Sequence, residues 1–371
     1  MILVTHAFSR KNAGDALLVD LTIERLVRLG YDKESVVIAA LDPESFSNHP
    51  RVFGVPGEPH STVSLGTVKA AMHRIRLRGS RLDQLFTQAD GVVAVGGGYL
   101  HTSGPVESIG CWLNHLGQLK LAVKSGAPTV YLPQSIGPLR GPIGASIRKQ
   151  LLSVDLVAVR DDESLWDLGS RPNVRRFPDL AILELTRRIS WGRTVGSEGH
   201  TIVIGRRLRS GAEYERRFRG LLERLKAPHI ALQADVGPKS DALFYAYLGL
   251  EISGTLDALA SRLPGGVVVS VRLHGALQAL MLGWPAIHLS YDRKGWGAYS
   301  DLGLADYVHD AYRFDPDLVA RQTQMLQRDA SDFWGKLDRV LPAIARQDSE
   351  LDQQLMRIVS GEGDAWIGSR P

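Results

Sequence analysis

Short runs of β-branched and aliphatic residues recur along this chain, and each is followed by a longer stretch whose apolar residues repeat at helical spacing. That alternation fits a parallel sheet covered by helices, because parallel neighbours need crossovers long enough to hold a helix. Strands are expected at Ile2 to His6, Ser35 to Ala40, Gly91 to Val95, Thr129 to Leu132, Leu156 to Arg160 and Arg175 to Pro178. Helices fill the gaps at Asp15 to Leu29, Thr67 to Arg78, Val106 to Ser125, Gly144 to Leu151 and Glu163 to Leu168. Thr186 to His200 is polar, glycine-rich and without period, and reads as a linker. A second series follows, with strands at Thr201 to Gly205, His229 to Ala234, Val267 to Arg272 and Ala286 to Ser290. Its helices are expected near Ala212 to Leu225, Asp241 to Tyr247, Leu256 to Leu263, Ala276 to Leu282 and Gly297 to Leu302. One long amphipathic stretch, Pro316 to Val359, comes next, and the terminal GEGDAWIGSRP reads as frayed.

The expected fold class is therefore α/β, with two Rossmann-like domains facing a central cleft. A chain of 371 residues is too long for one ordinary core. The boundaries expected are 1–190 and 200–312, with a helical segment at 313–359 that packs back toward the first domain. In such folds ligands bind outside the carboxyl ends of the strands, so residues just past each strand are where chemistry is sought.

Composition removes several classes. Apolar content of 44% and charged content of 23% exclude a mostly disordered chain. Mean hydropathy is −0.07, and no uninterrupted apolar run is long enough to cross a bilayer. The opening MILVTHAFSRKN is strand-like without a basic leader, so no signal peptide is expected. A lone cysteine, Cys111, allows no internal disulfide, and no Cys/His cluster has zinc spacing; a reducing, cytoplasmic setting and no metal are expected. The formal charge is only +4, but arginines fall in groups, at His73 to Arg81 and at Arg206 to Arg219. Small anions or an anionic membrane surface would suit them, and so would ordinary solvated helix faces.

The strand ends carry the candidates. Asn12, Gly14 and Asp15 follow the first strand in KNAGDALL, where capping is the plain reading. Gly96, Gly97 and Gly98 follow VVAV, leaving room for a ligand near the backbone, with His101 beyond as an acceptor contact. Gln134 and Ser135 precede a Gly-Pro turn in QSIGPL and read as cleft lining. Arg160 and Asp161 end VAVRDD; the aspartate is a natural helix cap, and the arginine must point its fork at something polar. The second half adds Arg206 and Arg207, which cannot both face one side of an extended strand, then Gln233, Asp235, Lys239 and Asp241. The sharpest stretch is VVVSVRLHGALQAL. If the chain stays extended through its junction, Arg272 and His274 point one way and Leu273 points into the core. Gly275 and the following amides open a helix whose positive end favours an anion, so the three together read as an anion site with an acid attached.

With these residues in view, the chain resembles the polysaccharide pyruvyl transferase family. The resemblance rests on KNAGDALL, VVAVGGGYL, QSIGPL, VAVRDDESLWDLG, FPDLAI, SVRLHGALQALMLGWPAIHLSYDRKG and LGLADYV, in the family's order from about Asn12 to Val308. HAFSRKNAGD departs from the family in lacking the extra glycines and aromatics before Asn-x-Gly-Asp, and the stretch between the two domains matches little. The resemblance implies a glycosyltransferase B-like architecture, with the first domain on the acceptor side and the second on the donor side. It implies transfer of the enolpyruvyl unit of phosphoenolpyruvate to two hydroxyls of a sugar, giving a pyruvate ketal and phosphate, with no cofactor besides the donor.

The family's Arg-Leu-His motif falls on Arg272, Leu273 and His274, and its other donor arginine on Arg160. Two guanidiniums can hold the carboxylate and the phosphate of this donor, and His274 is the expected general acid toward its methylene carbon. Gly275 and Arg207 are added to the donor side. His6, Asn12, Asp15, Gly97, Gly98, His101, Glu107, Gln134, Ser135, Gln233 and Asp241 are the candidates for acceptor or cleft lining. The partners implied are phosphoenolpyruvate and a saccharide acceptor, free or lipid-linked, with the inner face of the plasma membrane as the place of any peripheral contact and no nucleic acid. Two rivals stand beside this reading. One is a nucleotide-sugar glycosyltransferase, for which Asp292 would have to serve as the ribose-binding acid; the other is a non-catalytic binding protein of the same fold.

Overall fold

The computed structural model describes residues 1–55, 80–189, 193, 199–209, 211–237 and 240–360. The expected helix at Thr67 to Arg78, the basic residues His73 to Arg78, Lys239 and the terminal GEGDAWIGSRP lie outside the described residues, as does most of the central linker stretch. By internal contacts the chain divides into two compact units. The first is Met1–Arg10, Leu18–Leu180 and Gln347–Pro371; the second is Lys11–Leu17 and Ala181–Arg346.

In the first unit the expected strands appear as β1 (Ile2–Ala7), β2 (Val36–Ala40), β4 (Gly91–Ala94), β6 (Thr129–Ile136), β7 (Leu156–Val159) and β8 (Val174–Arg176). Two more join them, β3 (Val52–Gly54) and β5 (Gly97–Leu100). All pair in parallel in the order β3-β2-β1-β4-β6-β7-β8, with β5 on the far part of β6. β1, β2, β4, β6 and β7 are buried along their whole length, which explains why they read as unbroken apolar runs rather than alternating ones. The glycine stretch after β4 is itself structured: Gly97 sits at φ +149°, a conformation that requires glycine, and opens β5. Pairing with β5 also carries β6 through Gln134, Ser135 and Ile136, residues expected to be loop.

The helices here include Ala13–Arg28, whose first residues belong by contact to the second unit, and Gly141–Leu151 and Asp162–Leu168. The expected Val106 to Ser125 helix runs as Pro105–Cys111 and Gly117–Ser125, joined by a wider turn of helix at Trp112–Leu116. Thr186 to Arg188, expected in the linker, instead complete a helix at Leu180–Arg188, whose apolar residues Leu180 to Leu183 are buried.

The second unit holds β9 (Thr201–Ile204), β10 (His229–Leu232), β11 (Gly254–Thr255), β12 (Val267–Ser270), β13 (Ala286–Ser290) and β14 (Val308–Asp310). They are parallel in the order β11-β10-β9-β12-β13-β14. Helices at Gly211–Arg224, Asp241–Leu248, Leu256–Ala260, Leu273–Met281 and Arg293–Asp301 link or follow the strands. The stretch expected as one from Pro316 to Val359 is two helices, Pro316–Arg328 and Ser331–Val359, parted where the Asp329 side chain accepts from the Ser331 amide. No described helix is long and apolar enough to cross a membrane.

Candidate active site

The second sheet places its strand ends side by side. Ser270, the last residue of β12, is in register with Ile204 of β9 and with His288 of β13. Whatever follows these strands therefore emerges along one carboxyl edge. β12 stops because the Ser270 hydroxyl donates to the Arg272 carbonyl at 2.6 Å and accepts from the Arg272 amide at 3.1 Å, turning the chain. Arg272 is the N-cap of the Leu273–Met281 helix, so His274 lies on that helix's first turn. The extended backbone expected through the junction stops at Arg272, and Leu273, already helical, is half-buried rather than in the core. Val271 fills the core position instead and is wholly buried.

The Arg272 guanidinium is bonded to Asp241, the first residue of the Asp241–Leu248 helix and fully buried. Burial pushes the Asp241 carboxyl upward from the usual carboxylate range, and Arg272 together with the Ala234 amide, at 2.9 Å, opposes that shift. We read the pair as charged, with Asp241 orienting the arginine fork.

The KNAGDALL segment joins this site. Asn12 makes an antiparallel bridge to Ala234, the Ala13 amide donates to the Gln233 carbonyl at 2.8 Å, and the Asp235 amide donates to the Lys11 carbonyl at 2.8 Å. Asn12 also accepts from the Gly14 amide and donates to Asp15. A Cβ on Gly14 would lie 3.0 Å from Nδ1 of His274, so the imidazole packs on bare backbone. Asn12 and Asp15, read from the sequence as acceptor or cleft lining within an expected first domain of residues 1–190, belong by contact to the unit that carries Arg272 and His274. Gly275 is as confined: a Cβ there would meet Ile204 at 2.7 Å and the Ser270 hydroxyl at 2.9 Å, and Gln233 Oε1 closer still.

Of the neighbouring arginines, Arg207 is exposed and stacks over Tyr247 at 5.7 Å. The adjacent Arg206 is the one turned toward the strand edge, donating to the Tyr291 hydroxyl at 2.6 Å with its guanidinium 4.6 Å from that ring. Asp292 caps the Arg293–Asp301 helix by accepting from the Lys294 amide.

The first unit gathers its own strand-end residues. Arg160 is buried and ion-paired with Asp179, and its Nε donates to the Ser135 hydroxyl at 3.0 Å. Ser135 in turn donates to Asp161, which caps the Asp162–Leu168 helix through the Ser164 amide. Gln134 is fully buried beside them in β6. His6, at φ +65°, is buried with Nδ1 3.2 Å from Nδ1 of His115 and Nε2 2.9 Å from the Tyr131 hydroxyl. Burial, and His115 beside it, hold the His6 pKa well below the ordinary histidine value, so it is a weak base in this setting. His101 is half-buried near the Gly98 carbonyl, and Glu107 folds back over Gly104 at the start of its helix. Among the described residues no cluster of three or more His, Cys, Asp or Glu is placed to hold a metal ion.

Sequence reasoning named Arg206 at its strand end but carried Arg207 to the donor side, and it passed over Tyr291, Asp179 and His115. Asp179 and Tyr291 stand inside the quoted FPDLAI and HLSYDRKG stretches, and position just past a strand was the available signal. Which of two adjacent arginines turns inward carried no signal at all.

Solved structures agree on the architecture. The UDP-GlcNAc 2-epimerase of Neisseria meningitidis bound to UDP-GlcNAc is 12% identical, with a TM-score of 0.55 over 96% of this chain and 100% of that one. The UDP-GlcNAc 2-epimerase of Methanocaldococcus jannaschii is 10% identical, with a TM-score of 0.51 over 89% and 93%. Spinosyn forosaminyltransferase is 15% identical, with a TM-score of 0.50 over 97% and 99%. No curated protein matches the chain in sequence. Two Rossmann-like domains of the glycosyltransferase B type define the class. Within it, the family model of polysaccharide pyruvyl transferases matches residues 12–293, and the chain belongs to that family.

Proposed function

We propose that this protein transfers the pyruvyl unit of phosphoenolpyruvate to two hydroxyls of a saccharide, forming a cyclic ketal and releasing phosphate. The observation that carries the reading is the start of the Leu273–Met281 helix. There a guanidinium oriented by Asp241, the helix amides and the His274 imidazole stand within one turn of each other at a strand edge. The amides and Arg272 suit a phosphate. His274 gives its proton to the donor's methylene carbon, and the first sugar hydroxyl bonds to the central carbon as the double bond is consumed. The second hydroxyl then displaces phosphate from that carbon; one of the two hydroxyl protons restores His274 and the other leaves with the phosphate, whose developing charge Arg272 and the amides stabilise. Membership in the family supports a saccharide acceptor.

The test is phosphate release from phosphoenolpyruvate across a panel of soluble and lipid-linked saccharides. His274→Gln is expected to lower the rate about 100- to 10,000-fold, the range for loss of a general acid. Unchanged release in that variant would sink the mechanism, and transfer from a nucleotide sugar alone would replace the reading with the glycosyltransferase one.

A further inference from the structure

Phosphoenolpyruvate carries two anionic groups, a phosphate and a carboxylate. Arg160 has its Nε and one terminal nitrogen engaged by Ser135 and Asp179 inside the first unit. The second unit contains another guanidinium, in the same sheet as the Arg272 strand end. β9 and β12 are adjacent and in register at Ile204 and Ser270, so Arg206 and Arg272 each lie two residues past the ends of neighbouring strands. The tie is tight, since the Val271 amide donates to the Ile204 carbonyl at 2.8 Å. On the other side of β12, Ser290 ends β13, and Tyr291 follows it directly. Tyr291 holds Arg206 by hydroxyl and ring face together, fixing the plane of the fork. Arg206 is half-buried, and its Nε is a buried donor without a hydrogen-bond partner. Its charge is felt at Asp241, the carboxylate that orients Arg272. Two planar forks thus share one short edge, each steadied by a different neighbour.

Resting on the donor proposed above, we infer that Arg206 is the guanidinium that grips the carboxylate of phosphoenolpyruvate, with Tyr291 as its positioning residue, while Arg272 and the helix amides take the phosphate. Arg206 is a donor-binding residue and selects against donors that carry phosphate alone.

Calorimetric titration of the full-length protein with phosphoenolpyruvate and with inorganic phosphate tests this. Arg206→Gln is expected to weaken phosphoenolpyruvate binding by about 10- to 100-fold, the range for a lost charge-assisted pair, and to leave inorganic phosphate within about threefold. Arg206→Lys keeps the charge and loses the fork, so an intermediate loss is expected. Tyr291→Phe keeps the ring and loses the hydroxyl clamp, and a smaller loss for phosphoenolpyruvate alone is expected. Melting temperatures of all three establish that they fold, and the lysine and phenylalanine variants carry the test if the glutamine one does not. Phosphoenolpyruvate binding in Arg206→Gln equal to wild type, or equal weakening of both ligands, overturns the inference while leaving the proposed reaction standing if Arg272→Gln still abolishes binding. A wild-type protein that binds no phosphoenolpyruvate overturns both.

Discussion

At Gly275 the absence of a side chain is a packing requirement rather than a flexibility requirement. Its φ is not in the left-handed region; what excludes a methyl group is the crowd formed by Gln233, Ile204 and the Ser270 hydroxyl. Ser270 is also the residue that turns the chain into the helix, so it has little freedom to yield. Gly275→Ala is expected to cost about 1–3 kcal/mol of stability, the usual range for overpacking, and to raise the KM for the proposed donor by tilting the first helical turn. Denaturant unfolding and steady-state kinetics check both, and a fully stable variant with an unchanged KM would refute the argument. The same local view explains an error in reading RLH from sequence. The Ser270 turn starts the helix at Leu273, so the extended alternation assumed through His274 ends at Arg272, and Val271 is the last residue of that run to point into the core.

Among the elements, a helical turn and a strand each carry a buried histidine whose protonation opposes folding. His115, on the wide helical turn beside β1, is pushed down to about 3 by burial, and His288 in β13 to about 4 for the same reason. An unfolded chain titrates both near 6.5, so below that pH it binds more protons than the folded one. Their contribution to stability is full above pH 6.5 and is lost as the pH falls toward 4 for His288 and toward 3 for His115, at up to about 1.4 kcal/mol per unit for each histidine. Melting temperature is expected to drop between pH 7 and pH 5, and to drop less steeply in His288→Asn. Equal slopes in the two proteins would show that His288 takes no part. Apolar runs such as TIVIG and VVVSV made the strands readable, because a strand buried on both faces has no polar position to interrupt it. β3 and β5 were not readable: VFG is short and partly exposed, and GGYL has too few β-branched residues to announce a strand.

On the scale of the whole molecule, each unit is completed by a piece of chain remote in sequence. Arg25, with a side chain only 1% exposed, is ion-paired to Asp348 and Asp352 across more than three hundred residues, all within the first unit. Removing both carboxylates strands a buried charge, so Asp348→Ala with Asp352→Ala is expected to destabilise this unit by about 3–5 kcal/mol. Scanning calorimetry would register an earlier transition, and an unaltered profile would mean that the pair contributes nothing. In the second unit the counterpart is Lys11–Leu17, which brings Gly14 against His274. Sequence alone determined the two α/β halves, the strand ends where chemistry had to be sought, and the Arg-Leu-His stretch, because hydrophobic periodicity and strand-to-helix junctions are local properties. Only the tertiary structure decided which of these residues share a site. The pairing of Asp241 with Arg272, the choice of Arg206 over Arg207, and the move of Asn12 and Gly14 to the side of His274 depend on strand order and register, which no local pattern encodes.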